Sequence, residues 1–286
     1  MKLGSHVSMS KGVEGAVKEA LSYNATALML YTGAPQNTIR KPVDKLLIEE
    51  GVALLKENNI PLENMVVHAP YIVNLGNPDD EKWNFSVDFL KKEIKRVSAI
   101  GATYLVLHPG SYHADTSLEY GIERISKGLN KILEEDTNVV ICLETMAGKG
   151  KEVGRNFKEI QGIISQIEKQ DNIAVCCDTC HLHDSGYDIV NDFDTVLKDF
   201  DNTIGLEKLK VFHINGSLNP RGAKKDRHAN LGAKKDNPKG VDHIGFEAIY
   251  NIVHNDLLKD VIFILETPWL DEKTNLYKEE IEALRK

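Results

Sequence analysis

Nine side chains able to grip a metal ion recur through this 286-residue sequence, six of them at the ends of short apolar runs. His68 closes the run MVVH, His108 closes YLVLH, Glu144 closes VVICLE, His213 closes LKVFH and Glu266 closes VIFILE. Asp178 follows IAVCC, with His181 three residues later, and Asp226 and His228 stand two residues apart in KKDRH. Alternate residues of an extended segment face the same way, so that last pair can hold one ion. Each residue alone has an ordinary explanation. A strand-end histidine can be satisfied by a hydrogen bond, Asp178 can cap a helix, and Glu266 can pair with a lysine. Together the explanations fail, because several carboxylates focused on one small region repel or protonate unless cations hold them. The donors are oxygen and nitrogen only. They suit Zn²⁺, are compatible with Mn²⁺ or Fe²⁺, and disfavour an all-oxygen Mg²⁺ cage. Nine candidates exceed the needs of one tetrahedral zinc. If a carboxylate such as Glu144 bridges two ions, the nine side chains make ten bonds. That is enough for three ions with room for water or substrate.

Something must bring these residues together. Eight short apolar runs recur along the chain: KLGSHVS, ALMLY, MVVHAP, YLVLHPG, VVICLET, IAVCCDT, LKVFHIN and VIFILET. They read as strands buried on both faces. Helical spacing lies between them, as in Ile94, Val97 and Ile100 or Ile122, Ile125, Leu129 and Ile132, and again over 43–57, 155–169, 244–257 and 273–285. The count and the length predict an α/β fold, a single (β/α)₈ TIM barrel over 1–286, with the metal site at the C-terminal mouth of the strands. An open doubly wound sheet is the alternative, but no Gly-rich nucleotide fingerprint follows the first strand. The polar stretch 215–242 is expected to be an extended loop after strand seven.

Charge then narrows the partner. Lys plus Arg total 35 and Asp plus Glu total 43, so the net charge of -8 excludes a uniformly basic nucleic-acid coat. The segment 221–240 runs the other way, with seven basic residues against two acidic ones, including Arg227, Lys234, Lys235 and Lys239. A +5 field beside the proposed ions can draw in a phosphate backbone. TGAPQNTIRKP, with Gln36, Asn37 and Arg40, is a second candidate contact loop, and Tyr71 in HAPYIVNLG can stack or wedge against an unstacked duplex. No apolar stretch approaches the ~20 residues of a membrane span, and the start MKLGSHVSMSKG has polar residues where a signal peptide would need its apolar region. Four cysteines are too few for a disulfide scaffold, so a cytoplasmic protein is expected.

At this point the sequence resembles the endonuclease IV family of apurinic/apyrimidinic endonucleases. The similarity runs from GSHVS to LETP and is carried by HAPYIVNLG, LVLHPGS, LETMAGKG, CCDTCHLHDSGYD, VFHIN, KDRHANLG and FILETP in order. The resemblance implies a (β/α)₈ barrel with three zinc ions that cuts DNA 5′ to an abasic site and trims blocked 3′ ends. It implies one ion on His68, His108 and bridging Glu144, a second on Glu144, Asp178, His213 and Glu266, and a third on His181, Asp226 and His228. It places Tyr71 in a DNA-opening loop, and His6 and Asn215 near the site without ligating. Three departures stand out. Gln36 takes the place of a basic residue common in relatives, LGAKKDNPKGVDHIG replaces a shorter loop, and Gly216-Ser217 stands where an Asp is common. The expected partner is double-stranded DNA with an abasic site or blocked 3′ end, met by a monomer, with water activated by the ions as nucleophile. Two rivals are a divalent-metal sugar isomerase or epimerase on a related barrel, which needs fewer ions and no basic loop, and a structural DNA-binding module with a closed zinc site.

Overall fold

A computed structural model describes residues 1–286. Seven strands come first: β1 (Lys2–His6), β2 (Ala27–Leu30), β3 (Met65–His68), β4 (Tyr104–Leu107), β5 (Val140–Glu144), β6 (Ile173–Asp178) and β7 (Leu209–Ile214). A short antiparallel pair, β8 (Gly216–Ser217) and β9 (His228–Ala229), precedes the last strand, β10 (Ile262–Leu265). The eight long strands pair in parallel in chain order, and β1 pairs with both β2 and β10. That closure rules out the open sheet. No helix is long and apolar enough to cross a membrane.

The outer ring is α1 (Gly12–Ser22), α2 (Ile48–Glu57), α3 (Asp80–Ile100), α4 (Leu118–Ile132), α5 (Phe157–Ile164), α7 (Phe193–Thr203), α8 (Phe246–Val253) and α9 (Tyr277–Leu284). A further short helix, α6 (Thr179–Ser185), follows β6 directly. Several helices start later than their apolar spacing suggests, because local turns win. Leu47, at a positive φ of 51°, separates a 3₁₀ turn at Val43–Lys45 from α2. The Asp271 carboxylate accepts the N–H groups of Lys273 and Thr274, which delays α9 to Tyr277. The side chain of Asn156 caps α5 by accepting from the Glu159 N–H.

Strand parity decides what reaches the mouth. Leu28, Leu30, Val67, Leu105, Leu143 and Val175 belong to the large core between strands and helices. Met29, Val66, Val106, Cys142, Cys176, Val211 and Ile264 form a second, smaller core inside the barrel. Two residues beyond these inward positions stand Tyr31, His68, His108, Glu144, Asp178, His213 and Glu266, and β1 adds His6. The mouth ring therefore continues the interior packing by the two-residue period of a strand. One strand needs a correction to do so. Val175 pairs with Leu209 but Cys176 pairs with Val211, so Lys210 is an extra residue bulged out of β7. Were β7 flat through Lys210, His213 would face the helices.

At the back of the mouth, buried Glu280 of α9 accepts from the Thr267 hydroxyl at 2.5 Å and the Leu231 N–H at 2.9 Å, tying two mouth segments together. Burial pushes its carboxyl up to about 7 from the ordinary 4.5. A raised carboxyl favours the folded state below pH 4.5 and loses that contribution as pH rises through about 7. Glu280→Gln should therefore match the parent's unfolding free energy in acid and exceed it by roughly 3 kcal/mol above neutrality. Denaturant melts from pH 4 to 8 test this, and parallel stability curves would refute it.

Candidate metal centre

Glu144 is the hub of the mouth. Its carboxylate is 1% exposed and each oxygen has its own histidine pair. Oε2 lies 3.0 Å from His68 Nε2 and 3.1 Å from His108 Nε2. Oε1 lies 3.1 Å from His213 Nδ1 and 3.4 Å from His181 Nδ1. His213 Nδ1 is also 3.1 Å from Glu266 Oε2 and 3.9 Å from Asp178 Oδ2. Glu144, Asp178, His213 and Glu266 thus bring donor atoms within 4.8 Å of one another, as do His68, Glu144 and His213.

A second focus lies beside the first. Asp226 Oδ1 sits 3.1 Å from His181 Nε2 and 3.4 Å from His228 Nε2. Asp178, His181 and His228 also converge, and the buried Cys180 lies within reach of Asp226 and His228. All nine sequence-derived candidates therefore meet at one mouth. Their exposure is uneven. Asp178, His213, Glu144, His68 and His181 are buried, whereas His108, Asp226, His228 and Glu266 form a partly open lip.

The surroundings hold the imidazoles in one useful tautomer. His68 Nδ1 is 2.6 Å from the Ala69 carbonyl, His181 Nδ1 2.7 Å from that of Thr145, and His228 Nδ1 3.3 Å from that of Glu266. A carbonyl only accepts, so the proton sits on Nδ1 and the Nε2 lone pair faces the cluster, as metal-ligating histidines are usually held. Asp178 is fixed from two sides. Oδ1 accepts the His181 N–H at 2.8 Å, capping α6, and Oδ2 accepts from Asn215 Nδ2 at 2.7 Å. Burial opposes ionisation of Glu144, but the His213 and His108 imidazoles outweigh it and hold the carboxyl well below the usual range. Burial likewise opposes a charged His228, yet Asp226 and Asp178 push it up to about 9. The donors therefore carry protons that an entering cation would displace. Donor types, tautomers and convergence all fit divalent ions.

The expected DNA-contact residues divide. Gln36 and Arg227 are exposed, as are Lys234, Lys235 and Lys239, and Tyr71 is 53% exposed at the rim. Lys239 and Arg227 line a groove of about 410 Å³ with Asp226, His228 and Glu266. Asn37 is half-buried, its side chain accepting the Ile39 N–H at 2.9 Å. Arg40 is turned into the protein. Its side chain is 6% exposed, with Nε 3.1 Å from Glu93 and an NH group donating to the Asn37 and Ile39 carbonyls at 3.0 Å each. It braces its loop from behind. The 215–242 segment is better ordered than a plain loop. Beyond β8 and β9, Asp242 accepts N–H groups from Ser217, Gly232, Ile244 and Gly245 at 2.9–3.0 Å. A Cβ on Gly216 would fall 2.6 Å from the Asp242 carboxyl carbon, so only glycine leaves room for that clamp.

Three residues of the mouth escape a search for ligand types. Tyr31 completes the ring, packing 5.1 Å from His6 and 4.9 Å from His68 between ring centroids. Asp184 and Asp242 hold loops by accepting backbone N–H groups. The lone Asp inside HLHDSG is the one available signal, for Asp184; nothing local marks the other two.

Residues 17–286 match the family described as a xylose isomerase-like TIM barrel. Over 292 aligned residues the chain is 51% identical to a "Probable endonuclease 4" of Geobacillus kaustophilus, covering 100% of this chain and 94% of the relative. The crystal structure of endonuclease IV from Thermus thermophilus superposes with a TM-score of 0.83 at 31% identity, covering 100% of this chain and 98% of that one. A D-tagatose 3-epimerase-like protein gives a TM-score of 0.71 at 18% identity over 100% of this chain and 96% of its own, which is a likeness of fold alone. With full-length similarity at this level and a mouth built as described, the chain belongs to the endonuclease IV family.

Proposed function

We propose that this protein is a zinc-dependent apurinic/apyrimidinic endonuclease. It hydrolyses the DNA phosphodiester 5′ to an abasic site, leaving a 3′-hydroxyl and a 5′-deoxyribose phosphate, and trims blocked 3′ ends. The observation that carries the reading is the division of Glu144, one oxygen facing Nε2 of His68 and His108 and the other facing Nδ1 of His213, which also meets Glu266 and Asp178. A carboxylate so placed can bridge two ions. His68 and His108 would hold the first, Asp178, His213 and Glu266 the second, and His181, Asp226 and His228 a third. Bound zinc would supply acidified water and charge stabilisation at the phosphate oxygens.

The remaining work falls to the chain. The open lip of His108, Asp226, His228 and Glu266 leaves the substrate side of the centre reachable. Lys239 and Arg227 bring positive charge to that side and guide the backbone. Tyr71 offers an exposed ring to fill the stack where the abasic nucleotide leaves it. Arg40, through Glu93, holds the loop that presents Gln36 and Asn37. No nearby thiol is suited to nucleophilic attack, since burial pushes Cys176 up to about 12. Four free, buried thiols favour a reducing cytoplasm as the compartment.

Elemental analysis paired with cleavage of a duplex carrying one stable abasic analogue tests the reading. The expected result is close to three zinc equivalents and a 3′-hydroxyl product cut immediately 5′ of the lesion. Full incision activity with one tightly bound ion, or no incision by the fully loaded protein, would overturn it.

A further inference from the structure

A fully buried carboxylate outside the ligand set has no cation beside it. Asp184 lies near the end of α6 and is 0% exposed. Its Oδ1 accepts the Ser217 hydroxyl at 2.6 Å, and its Oδ2 accepts the N–H groups of Asp226 at 2.9 Å and Lys225 at 3.2 Å. Its own carbonyl accepts the Lys224 N–H at 3.0 Å, and the His183 carbonyl accepts that of Gly222 at 2.9 Å. The end of one short helix is thus the template for the turn that carries Asp226.

That turn would not hold its shape alone. Lys224 and Asp226 have φ of 55° and 54°, left-handed values that non-glycine residues keep only where the surroundings over-determine them. Asp184 supplies the constraint at both residues, through its carbonyl and its carboxylate. Ser217 extends it. Its hydroxyl donates to Asp184, while its backbone pairs with His228 across the β8–β9 ladder. The side chains of Asp226 and His228 emerge from this scaffold with Oδ1 and Nε2 3.4 Å apart. His181 lies three residues before Asp184 on the same helix and meets Asp226 Oδ1 from the other side at 3.1 Å. One helix therefore carries a candidate ligand and the anchor for the backbone of that ligand's partner.

We propose that Asp184, assisted by Ser217, is the positioning residue for the third ion, selectively setting affinity at the His181–Asp226–His228 position. The inference rests on the trinuclear reading above. Outer-shell partners of this kind typically change metal affinity 10–100-fold. A defect in Asp184 should therefore fall on one ion of three, since the Glu144-centred donors make no contact with it.

The test is zinc stoichiometry after equilibration with a graded chelator, read on the parent, Asp184→Ala, Asp184→Asn and Ser217→Ala. Thermal melts of the ion-free proteins and the visible spectra of the Co²⁺-substituted forms accompany it. The parent should hold three ions. Asp184→Ala should release one of them at roughly 10–100-fold less chelator competition, with the other two and the ion-free melt unchanged and one Co²⁺ component altered. Asp184→Asn keeps an oxygen acceptor for the two N–H groups and should restore most of the loss. If Asp184→Ala does not fold, Ser217→Ala should show the same selective weakening at about tenfold. A parent with fewer than three ions overturns the trinuclear reading and this proposal with it. Three ions in the parent, with parental affinity at all positions in Asp184→Ala and Ser217→Ala, overturn this proposal alone. So does a uniform weakening of all three ions accompanied by a lowered ion-free melt.

Discussion

Glu144→Ala should remove two of the three ions together and lower incision of an abasic duplex by about 10³-fold or more. Four imidazole nitrogens lie 3.0–3.4 Å from its two oxygens. No other carboxylate stands between His68 and His108 on one side and His213 on the other, so the loss cannot be shared out. Lewis-acid and nucleophile-generating effects of bound ions amount to several kcal/mol, which sets the scale of the rate loss. His228→Ala should be milder, because His228 lies 3.4 Å from Asp226 in the outer cluster and no closer than 3.9 Å to Asp178, with no contact to Glu144. Zinc content and single-turnover incision measured on the same samples give the comparison. A Glu144→Ala protein that keeps three ions, or one less impaired than His228→Ala, would contradict the bridging role.

Replacing Lys234, Lys235 and Lys239 together with Ala should weaken duplex binding about 10²-fold at physiological salt. The log–log salt slope should flatten by up to about 2.7, at roughly 0.9 per phosphate contact. All three side chains are exposed, and none makes an ion pair within the protein. Folding should survive, because exposed lysines contribute little to stability. Arg40→Ala is the contrasting case. It removes the nearer of two arginines from Glu93, whose side chain is 2% exposed and keeps Arg96 at 3.9 Å and the Thr32 hydroxyl, and should cost about 2 kcal/mol of stability while leaving the salt slope intact. Binding titrations from 50 to 200 mM salt separate the two. An unchanged slope in the triple variant makes the loop a solvated bystander, and a changed slope in Arg40→Ala moves that guanidinium to the DNA.

Both predictions reflect what can and cannot be read along the chain. The ligand ring is legible because strand ends repeat: a β-rich run followed by His, Asp or Glu recurs at β3, β4, β5, β6, β7 and β10. The two-residue side-chain period turns that linear repeat into convergence at one mouth. Tyr31 belongs to the same ring but stays invisible, because ALMLY ends in an aromatic and reads as one more apolar run. Arg40 looks like a phosphate contact because its loop is polar. Its partner Glu93 lies 53 residues away, and no local pattern announces a long-range ion pair. The clamps formed by Asp184 and Asp242 have the same character. Their partners are backbone N–H groups, which every sequence offers everywhere. Helix starts differ from the apolar spacing by a few residues where turn chemistry at Leu47 or Asp271 overrides it.

The bulge at Lys210 governs how this chain can lengthen and shorten over evolution. Loops at the mouth can gain or lose residues one at a time, since no side chain has to switch faces when they do. A strand obeys a parity rule, because an odd change exchanges its two faces. β7 already carries an odd residue, which is why Val211 and His213 point inward while Leu209 before them points out. Deleting Lys210 would restore plain alternation, with Leu209 out, Val211 in, Phe212 out and His213 in, whereas a flat β7 that kept every residue would turn Phe212 toward the ions and His213 toward the helices. The bulge is therefore the one point in β7 where a residue can be lost without moving a ligand to the wrong face. Anywhere else in the strand, a single insertion or deletion that no bulge absorbs would exchange the two faces and carry His213 out of the mouth.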